Sequence, residues 1–252
     1  MPEQGSAVIP GISQYVQVQS GMSFADFERL VRASREDALR DTLARHRHAI
    51  QVKNEQTAIR NLERIFSATL KISNEKGFQA MSIRDLSKET GLSTGALYSY
   101  FSGKDELLTM LQQHERDLVQ RILLERIGEQ SEPTERLRTA IRTHLYLTEA
   151  MQPWFYFSYM EAKNLSSSER KKAISSELYT EEIFADIIQN GQDSGVFKKR
   201  DPLLTAGIIK AILQDWYLKR SKFARRHVSV NKYADFAIAF VESFCREFSG
   251  AD

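Results

Sequence analysis

The chain has 252 residues, of which 42% are hydrophobic, and a formal net charge of +2. A chain of this length forms one large domain or two small ones, and its apolar content is sufficient for a buried core. The single cysteine, Cys245, excludes an internal disulfide and a cysteine-based metal site, which fits a reducing cytosol. No apolar run reaches membrane-spanning length, and the first 21 residues lack a signal-peptide core, so we expect a cytoplasmic protein with no membrane partner.

The N-terminal 55 residues form an extension with a partly helical pattern. Ser23 precedes apolar residues at helical spacing and predicts a helix to Val31, and a second, charged helix is predicted from Arg35 to Lys53. Seven Lys and Arg residues balance seven acids across this extension. An arm that wraps around an anionic polymer is normally basic, so we expect the extension to pack on the body or on a partner subunit. A partly disordered tail is the alternative.

Three helices are predicted between residues 56 and 108. The first runs from Thr57 to Lys76, and Gly77 ends it. The second and third lie within residues 82–105 and are joined by a tight turn, which is typical of a helix-turn-helix whose second helix enters the DNA major groove. Seven Lys and Arg residues against four acids between positions 56 and 104 supply a modest local positive charge for phosphate contacts.

The residues around this turn have the capping chemistry that two short helices need. Ser82 is placed as an N-cap, with Asp85 three residues later. Gly91 stands where a left-handed residue ends a helix, and Ser93 caps the next helix, which we predict to end at Phe101. An ordinary helical corner is the alternative, since such caps occur in most helical proteins.

Small and aromatic residues mark the outward face of the second helix. Gly95 and Ala96 allow a close approach to a surface, and the hydroxyls of Tyr98 and Tyr100 are predicted to point outward, towards a phosphate or a base. Lys104 follows at the start of the next helix, well placed for a backbone phosphate.

This motif resembles that of the TetR (tetracycline-repressor) family of bacterial regulators. The matching residues are Ser82-Ile83-Arg84-Asp85-Leu86-Ser87, Thr90-Gly91-Leu92-Ser93-Thr94-Gly95-Ala96-Leu97-Tyr98-Ser99-Tyr100-Phe101, Lys104 and Leu107. The resemblance covers residues near 57 to 108 and departs from the family pattern at two positions. Tyr100 stands where a histidine is usual, and Ser87 replaces a small alanine.

The resemblance implies a homodimer whose two recognition helices enter successive major grooves of double-stranded operator DNA. Ser82 and Lys104 would hold phosphates, and Tyr98 would contact the backbone or a thymine methyl group. The implied DNA-binding residues are Ser82, Arg84, Ser93, Thr94, Gly95, Ala96, Tyr98, Tyr100 and Lys104.

Residues 109–252 are predicted to form a helical body that ends in two apolar helices, Leu203 to Arg220 and Val230 to Phe248. The resemblance implies that these two helices pair with their mates in a dimer, although helices of this kind also suit a monomer core. The candidate interface residues are Leu204, Ile208, Ala211, Ile212, Asp215, Ala237, Phe240, Val241 and Phe244.

Aromatic residues in the body could line a ligand cavity or fill a core. The candidate ligand-binding residues are Tyr146, Trp154, Phe157, Tyr159, Met160 and Trp216. Glu161, His144 and Gln214 are the polar groups that could orient a ligand. The stretch from Trp216 to Arg220 is similar to the corresponding stretch in family members that respond to long-chain acyl-CoA. The resemblance implies that Lys219 and Arg220 would contact the anionic phosphates of such a ligand.

We therefore expect an all-α protein with an extension (residues 1–55), a helix-turn-helix DNA-binding head (56–108) and a ligand-binding and dimerisation body (109–252). The expected function is that of a repressor, released from its operator by a small apolar or amphipathic effector such as a fatty acid or an acyl-CoA. No catalytic motif, metal site or cofactor is expected. A helical adaptor or a helical-bundle enzyme that retains the fold is the alternative.

Overall fold

A computed structural model describes residues 22–161 and 167–246, with the backbone alone described for a few positions of 167–176. This part of the chain is all helical, as predicted. Its helices are α1 (Phe24–Arg45), α2 (Glu55–Lys76), α3 (Ile83–Thr90), α4 (Thr94–Tyr98), α5 (Lys104–Gly128), α6 (Pro133–Ala150), α7 (Gln152–Glu161), α8 (Ser167–Asp193), α9 (Pro202–Leu218), α10 (Arg220–Arg225) and α11 (Val230–Cys245).

The extension contains one continuous helix where the sequence pattern predicted two. Ser23 caps α1 as predicted, and its hydroxyl accepts a hydrogen bond from the Asp26 N–H at 3.1 Å. No glycine or proline lies between Ser23 and Arg45, so nothing in the backbone interrupts the helix. The first 21 residues of the extension lie outside the described residues.

Helix α1 packs on α2, α5 and α6. Its apolar stripe is buried, and the hydroxyl of Thr42 lies 3.0 Å from Nδ1 of His114 on α5. Arg45 pairs with Asp117, also on α5, at 2.6 Å. The ring of Tyr146 on α6 packs edge-on against two phenylalanines of α1. The extension thus covers both the head and the body, as expected of a balanced-charge segment.

Helices α2, α3 and α4 surround a small core of their own. Leu62 and Ile65 of α2, Leu86 of α3 and Leu97 of α4 are all completely buried. Because α3 and α4 are too short to be stable alone, this shared core holds them in place. The core therefore sets how the outer faces of the two helices are presented.

The long helix α5 connects this head to a body formed by α6 to α11. Helix α6 lies at the centre of the body and contacts α5, α8, α9 and α11. Arg138 and Arg142 of α6 form ion pairs with Glu242 and Asp235 of α11, which ties the last helix to the central one. Along the described part of the chain, none of the helices combines the length and apolar character that a membrane span requires.

Candidate DNA-binding head and ligand cavity

Backbone capping holds α3 and α4 at the turn between them. Ser82 and Asp85 form a capping box, in which each side chain accepts a hydrogen bond from the other residue's N–H, at 3.1 and 2.8 Å. Gly91 takes the left-handed conformation, with φ 68° and ψ 12°, at the end of α3. Ser93 then caps α4 by accepting from the Ala96 N–H at 3.1 Å. The capping roles inferred from the sequence are confirmed.

The outer face of α4 is open to solvent. Ser93, Thr94 and Gly95 are exposed, Ala96 is half-buried, and the Tyr98 side chain is 51% exposed. No atom lies within 4 Å of the position that a Cβ on Gly95 would take, so a surface can approach the helix closely there. A short helix with one buried leucine and an exposed face of small residues has the shape that a major-groove contact requires.

The start of α3 contributes two further exposed residues, Ser82 and Arg84. The Asp85 carboxylate is bound by the Lys76 ammonium and the Ser82 hydroxyl. These two contacts hold the pKa of the carboxyl well below its usual range. The Asp85 carboxylate is thus engaged within the head, while the Arg84 side chain stays exposed for an outside partner.

Tyr100 does not lie on the outer face, so the prediction that its hydroxyl points outward is wrong and a DNA contact from it is not supported. The side chain is 1% exposed, and its hydroxyl accepts a hydrogen bond from Nδ2 of Asn61 on α2 at 2.8 Å. Tyr100 is three residues after the buried Leu97, so helical spacing places both on the same inner face. The N–H of Tyr100 bonds to the carbonyl of Leu97 at 2.9 Å, so the chain stays helical enough past the end of α4 to keep the ring in the core of the head.

Lys104 lies at the start of α5, as predicted, but its ammonium already has a partner. Nζ donates to the Gln79 carbonyl at 2.9 Å and lies 5.0 Å above the Phe78 ring. Burial lowers the pKa of Lys104 from its ordinary value. A lysine ammonium has three donors, so a phosphate contact from the same nitrogen stays a prediction.

A hydrogen bond between the segment that follows α1 and the end of α4 was not predicted from the sequence. The N–H of Gln51, in the segment between α1 and α2, donates to the carbonyl of Ser99 at the end of α4, at 2.9 Å. Ile50 beside it is buried. The local pattern carries no signal for this bond, since the two residues are far apart in the chain.

The body contains a cavity of about 220 Å³ between α5, α6, α7, α8 and α9. Trp154 and Tyr159 line it, as predicted, and so do the polar candidates His144 and Gln214. The full lining is Arg116, Val119, Gln120, His144, Trp154, Phe155, Ser158, Tyr159, Arg170, Ile174, Glu177, Thr180, Lys210, Gln214 and Tyr217.

Four of the six aromatic and apolar candidates do not line this cavity. Tyr146, Phe157 and Trp216 are 2% exposed or less and fill the core, packed against aromatic rings of α1, the head and α10–α11 respectively. Met160 lies on the surface of α7. Consecutive aromatic residues of α7 lie on different sides of the helix, so neighbouring positions face different surroundings.

Lys210 is the most unusual residue of the cavity and was not predicted. Its Nζ lies 3.0 Å from Nε2 of His144, and both side chains are buried. Burial lowers the pKa of Lys210 to about 8 and that of His144 well below its ordinary value. The cavity residues Lys210, Gln214 and Tyr217 recur at helical spacing along α9, a signal that the sequence did contain.

The phosphate contacts expected of Lys219 and Arg220 are not supported. The Arg220 guanidinium donates two hydrogen bonds to the carboxylate of Glu149, at 2.8 and 2.9 Å. Lys219 forms an ion pair with Asp215 at 2.6 Å. Neither residue lines the cavity. Arg220 ties the start of α10 to α6, whereas Lys219 pairs with a residue one turn earlier in α9.

One face of α7 contacts the head while another lines the cavity. The Glu161 carboxylate accepts from the Phe78 N–H at 3.0 Å, and the rings of Phe78 and Phe157 are 6.1 Å apart. Nδ2 of Asn74 donates to the carbonyl of Pro153 at 2.9 Å. The end of α2 and the segment before α3 are therefore held directly by a wall of the cavity.

Helices α9 and α11 present large apolar side chains to solvent. Leu204, Ile208, Phe240 and Phe244 are each more than 40% exposed, as is expected of interface residues. Ala237 and Val241 are buried in the body instead, and Asp215 is held by Lys219 and Lys222. Leu203 and Phe236, which the sequence reasoning missed, extend the exposed apolar face.

A capped helix-turn-helix on a three-helix head, joined through one long helix to a helical body with a cavity, defines a helix-turn-helix transcriptional regulator. Residues 65–111 match the family model described as bacterial regulatory proteins, tetR family. Residues 130–237 match a tetracyclin repressor-like, C-terminal domain. The two matches span more than half of the chain and fall on its head and body. The chain belongs to the TetR family of transcriptional regulators.

Individual relatives agree with this assignment. The chain is 24% identical over 180 residues to the HTH-type transcriptional regulator HbdR of Aromatoleum sp. (strain CIB), covering 71% of this chain and 79% of that protein. Its fold is similar to PfmR of Thermus thermophilus, a TetR family transcriptional regulator, with 26% identity, a TM-score of 0.57 and coverage of 71% and 95%. AibR, solved with isovaleryl coenzyme A and operator DNA, has a TM-score of 0.63 at 17% identity, with coverage of 75% and 100%.

Proposed function

We propose that this regulator is a cytoplasmic, homodimeric repressor that a small amphipathic effector releases from its operator. The observation that carries the proposal is that α7 contacts both the cavity and the head. Its residues Trp154 and Tyr159 line the cavity, while Glu161 of the same helix binds the head. A ligand that repositions α7 therefore acts on the segment that precedes α3.

The exposed face of α4 supports DNA as the partner of the head. Thr94, Gly95 and Tyr98 are available for base edges and backbone, and Ser82 and Arg84 are exposed at the start of α3. The local positive charge is modest, so base and shape contacts have to contribute alongside phosphates. Arg84 is the residue we assign to a guanine edge, because it is long, charged and exposed.

The apolar face of α9 and α11 supports the homodimer. Leu204, Ile208, Phe240 and Phe244 would be costly to leave in water, and a second copy of the same face buries them around a two-fold axis. A dimer then holds two α4 helices at one spacing. A ligand that favours a different spacing lowers DNA affinity by its differential affinity for the two states.

The effector proposed from the sequence is a fatty acid or an acyl-CoA. Trp154, Phe155 and Tyr217 supply an aromatic wall suited to an acyl chain, and AibR, a fold neighbour, was solved with an acyl-CoA. A cavity of about 220 Å³ accommodates the acyl portion of such a molecule, and any coenzyme A moiety has to lie outside it.

The test is salt-dependent binding of the purified protein to the DNA upstream of its own gene, with a scrambled duplex as control. Tyr98→Ala is expected to lower affinity for the specific duplex at least tenfold, since half of this side chain is exposed on the outer face of α4. Lys104→Ala is expected to reduce the salt slope by about one phosphate contact.

Lys199→Ala is the matched control, because it removes a charge from an exposed site in the body, between α8 and α9. It should leave both affinity and salt slope unchanged. If neither head variant changes binding, α4 is not the recognition element, as would hold for an adaptor or an enzyme that kept the fold.

A further inference from the structure

Two residues that line the proposed effector cavity each carry a buried nitrogen for which the described part of the chain offers no hydrogen-bond partner. Nδ1 of His144 and Nε1 of Trp154 are buried and have no hydrogen-bond partner among the described residues. Both residues line the same cavity. Unpaired buried donors are costly, and most native structures satisfy them. An acceptor oxygen of a ligand bound in this cavity would satisfy such a nitrogen.

The third donor is Lys210, and it determines which nitrogen of His144 carries the proton. A charged lysine has donors alone, so Nε2 of His144, 3.0 Å from Nζ, must be the acceptor. The proton of the neutral imidazole is then on Nδ1, the nitrogen without a partner among the described residues. His144 thus presents an N–H group, and Lys210 has further Nζ donors beyond the one that His144 accepts.

The charge around the cavity favours an anion. Lys210, Arg116 and Arg170 line it, and Glu177 is the one acid among the described residues of the lining. Glu177 accepts a hydrogen bond from Gln214 at 3.2 Å, and Glu181 also lies close enough to affect Lys210. Lys210 is the buried cation of the lining, and a carboxylate is the acceptor group that its ammonium stabilises.

The size of the cavity limits the rest of the ligand. An apolar cavity of about 150 Å³ holds a benzene molecule. The cavity here has about 220 Å³, with aromatic walls from Phe155 and Tyr217. The additional space suits a carboxylate attached to a six-membered ring or to a chain of similar bulk.

We infer that the effector is a small monocarboxylate with a ring-sized apolar body, and that His144, Trp154 and Lys210 bind its carboxylate. The inference rests on the proposed function, since it assigns the chemical class of the effector. It narrows that class to the free acid, because the carboxylate of an acyl-CoA is blocked as a thioester.

The experiment is isothermal titration calorimetry on the full-length protein at pH 7. The probes are benzoate, cyclohexanecarboxylate and hexanoate, each beside its primary amide, with benzylammonium as the cation. We expect at least one acid to bind ten or more times tighter than its amide, because the charge-assisted hydrogen bonds are lost in the amide.

Two variants locate the carboxylate. Lys210→Met keeps the length of the side chain and removes the ammonium, and Trp154→Phe removes the indole N–H while keeping an aromatic wall. Each should lower affinity for the acid at least fivefold and affinity for the amide by a clearly smaller factor, because the amide carbonyl still accepts a hydrogen bond but without the added strength that charge gives. Lys199→Met, at an exposed site, is the control for loss of charge and should bind as the unmodified protein does.

Equal affinity for acids and amides, or preferred binding of benzylammonium, would overturn the inference. So would the absence of binding by every acid in a protein that still binds its upstream DNA specifically, and the regulator proposal would then stand alone. Binding of an acid by a protein with no sequence-specific DNA binding would support the ligand class and refute the proposed repressor.

Discussion

Glu115 on α5 provides a quantitative test of how the extension and the body are packed. Its side chain is 4% exposed, and Oε2 has no hydrogen-bond partner among the described residues. Burial raises the pKa of Glu115 to about 7, against an opposing effect of Arg35 on α1. The folded protein therefore holds a proton on a carboxyl that the unfolded chain loses near pH 4.5.

The sign and size of the effect follow from proton linkage. Between pH 4.5 and about 7 the folded state binds the extra proton, so the free energy of unfolding falls as the pH rises through this window. The pKa difference, at 1.36 kcal/mol per pKa unit, corresponds to about 3 kcal/mol. Glu115→Gln has no carboxyl to ionise and should escape this loss. The variant should therefore gain about 3 kcal/mol relative to the unmodified protein between pH 4.5 and pH 8.

Urea unfolding at several pH values and one protein concentration measures this difference. Burial lowers the pKa of the neighbouring His114 to about 4 and adds a slope of the opposite sign, but this slope is common to both proteins and cancels in the comparison. Glu125→Gln, at an exposed position of the same helix, is the control and should show no pH-dependent difference. A difference between Glu115→Gln and the unmodified protein that does not vary with pH would refute the reasoning.

Three further predictions address the head, the dimer and their coupling. Gly91→Ala places a Cβ on a left-handed residue, beside Arg64, and should destabilise the protein in urea by about 1–2 kcal/mol, whereas Gly95→Ala, with open space around it, should not destabilise it. Phe240→Asp puts a charge on the exposed apolar face and should convert the dimer to monomers in sedimentation velocity, whereas Leu178→Asp, exposed on α8, should not. Glu161→Leu removes the acceptor for the Phe78 N–H. Effector binding, measured by calorimetry, should persist, while effector-driven release of DNA should be weakened at least threefold. Unchanged release would show that this contact does not transmit the signal.

Local rules were sufficient for the helix-turn-helix. The caps at Ser82 and Ser93 and the left-handed end at Gly91 depend on interactions within four residues, and all three were predictable from residue type and spacing. The same holds for Ser23 at the start of α1. Ser82, Gly91 and Ser93 also carry the resemblance to the family, so the class of protein was accessible before the fold.

Tyr100 shows what helical spacing and tertiary packing each decide. It lies three residues after the buried Leu97, so spacing already favours the inner face, and the prediction of an outward hydroxyl did not take this into account. The free energy of that placement comes from burying an aromatic ring against α2, where Asn61, almost forty residues earlier, donates to the hydroxyl. Spacing within one helix does not identify that partner.

The sequence by itself determined the all-α class, the capped motif and the residues exposed on α4. The tertiary structure alone decided which aromatics fill the core and which line a cavity, and it brought Lys210 to the side of His144 across 66 positions. The reason is that capping and helical periodicity act over a few residues. A cavity is the space left between helices, and its lining depends on how five helices pack together.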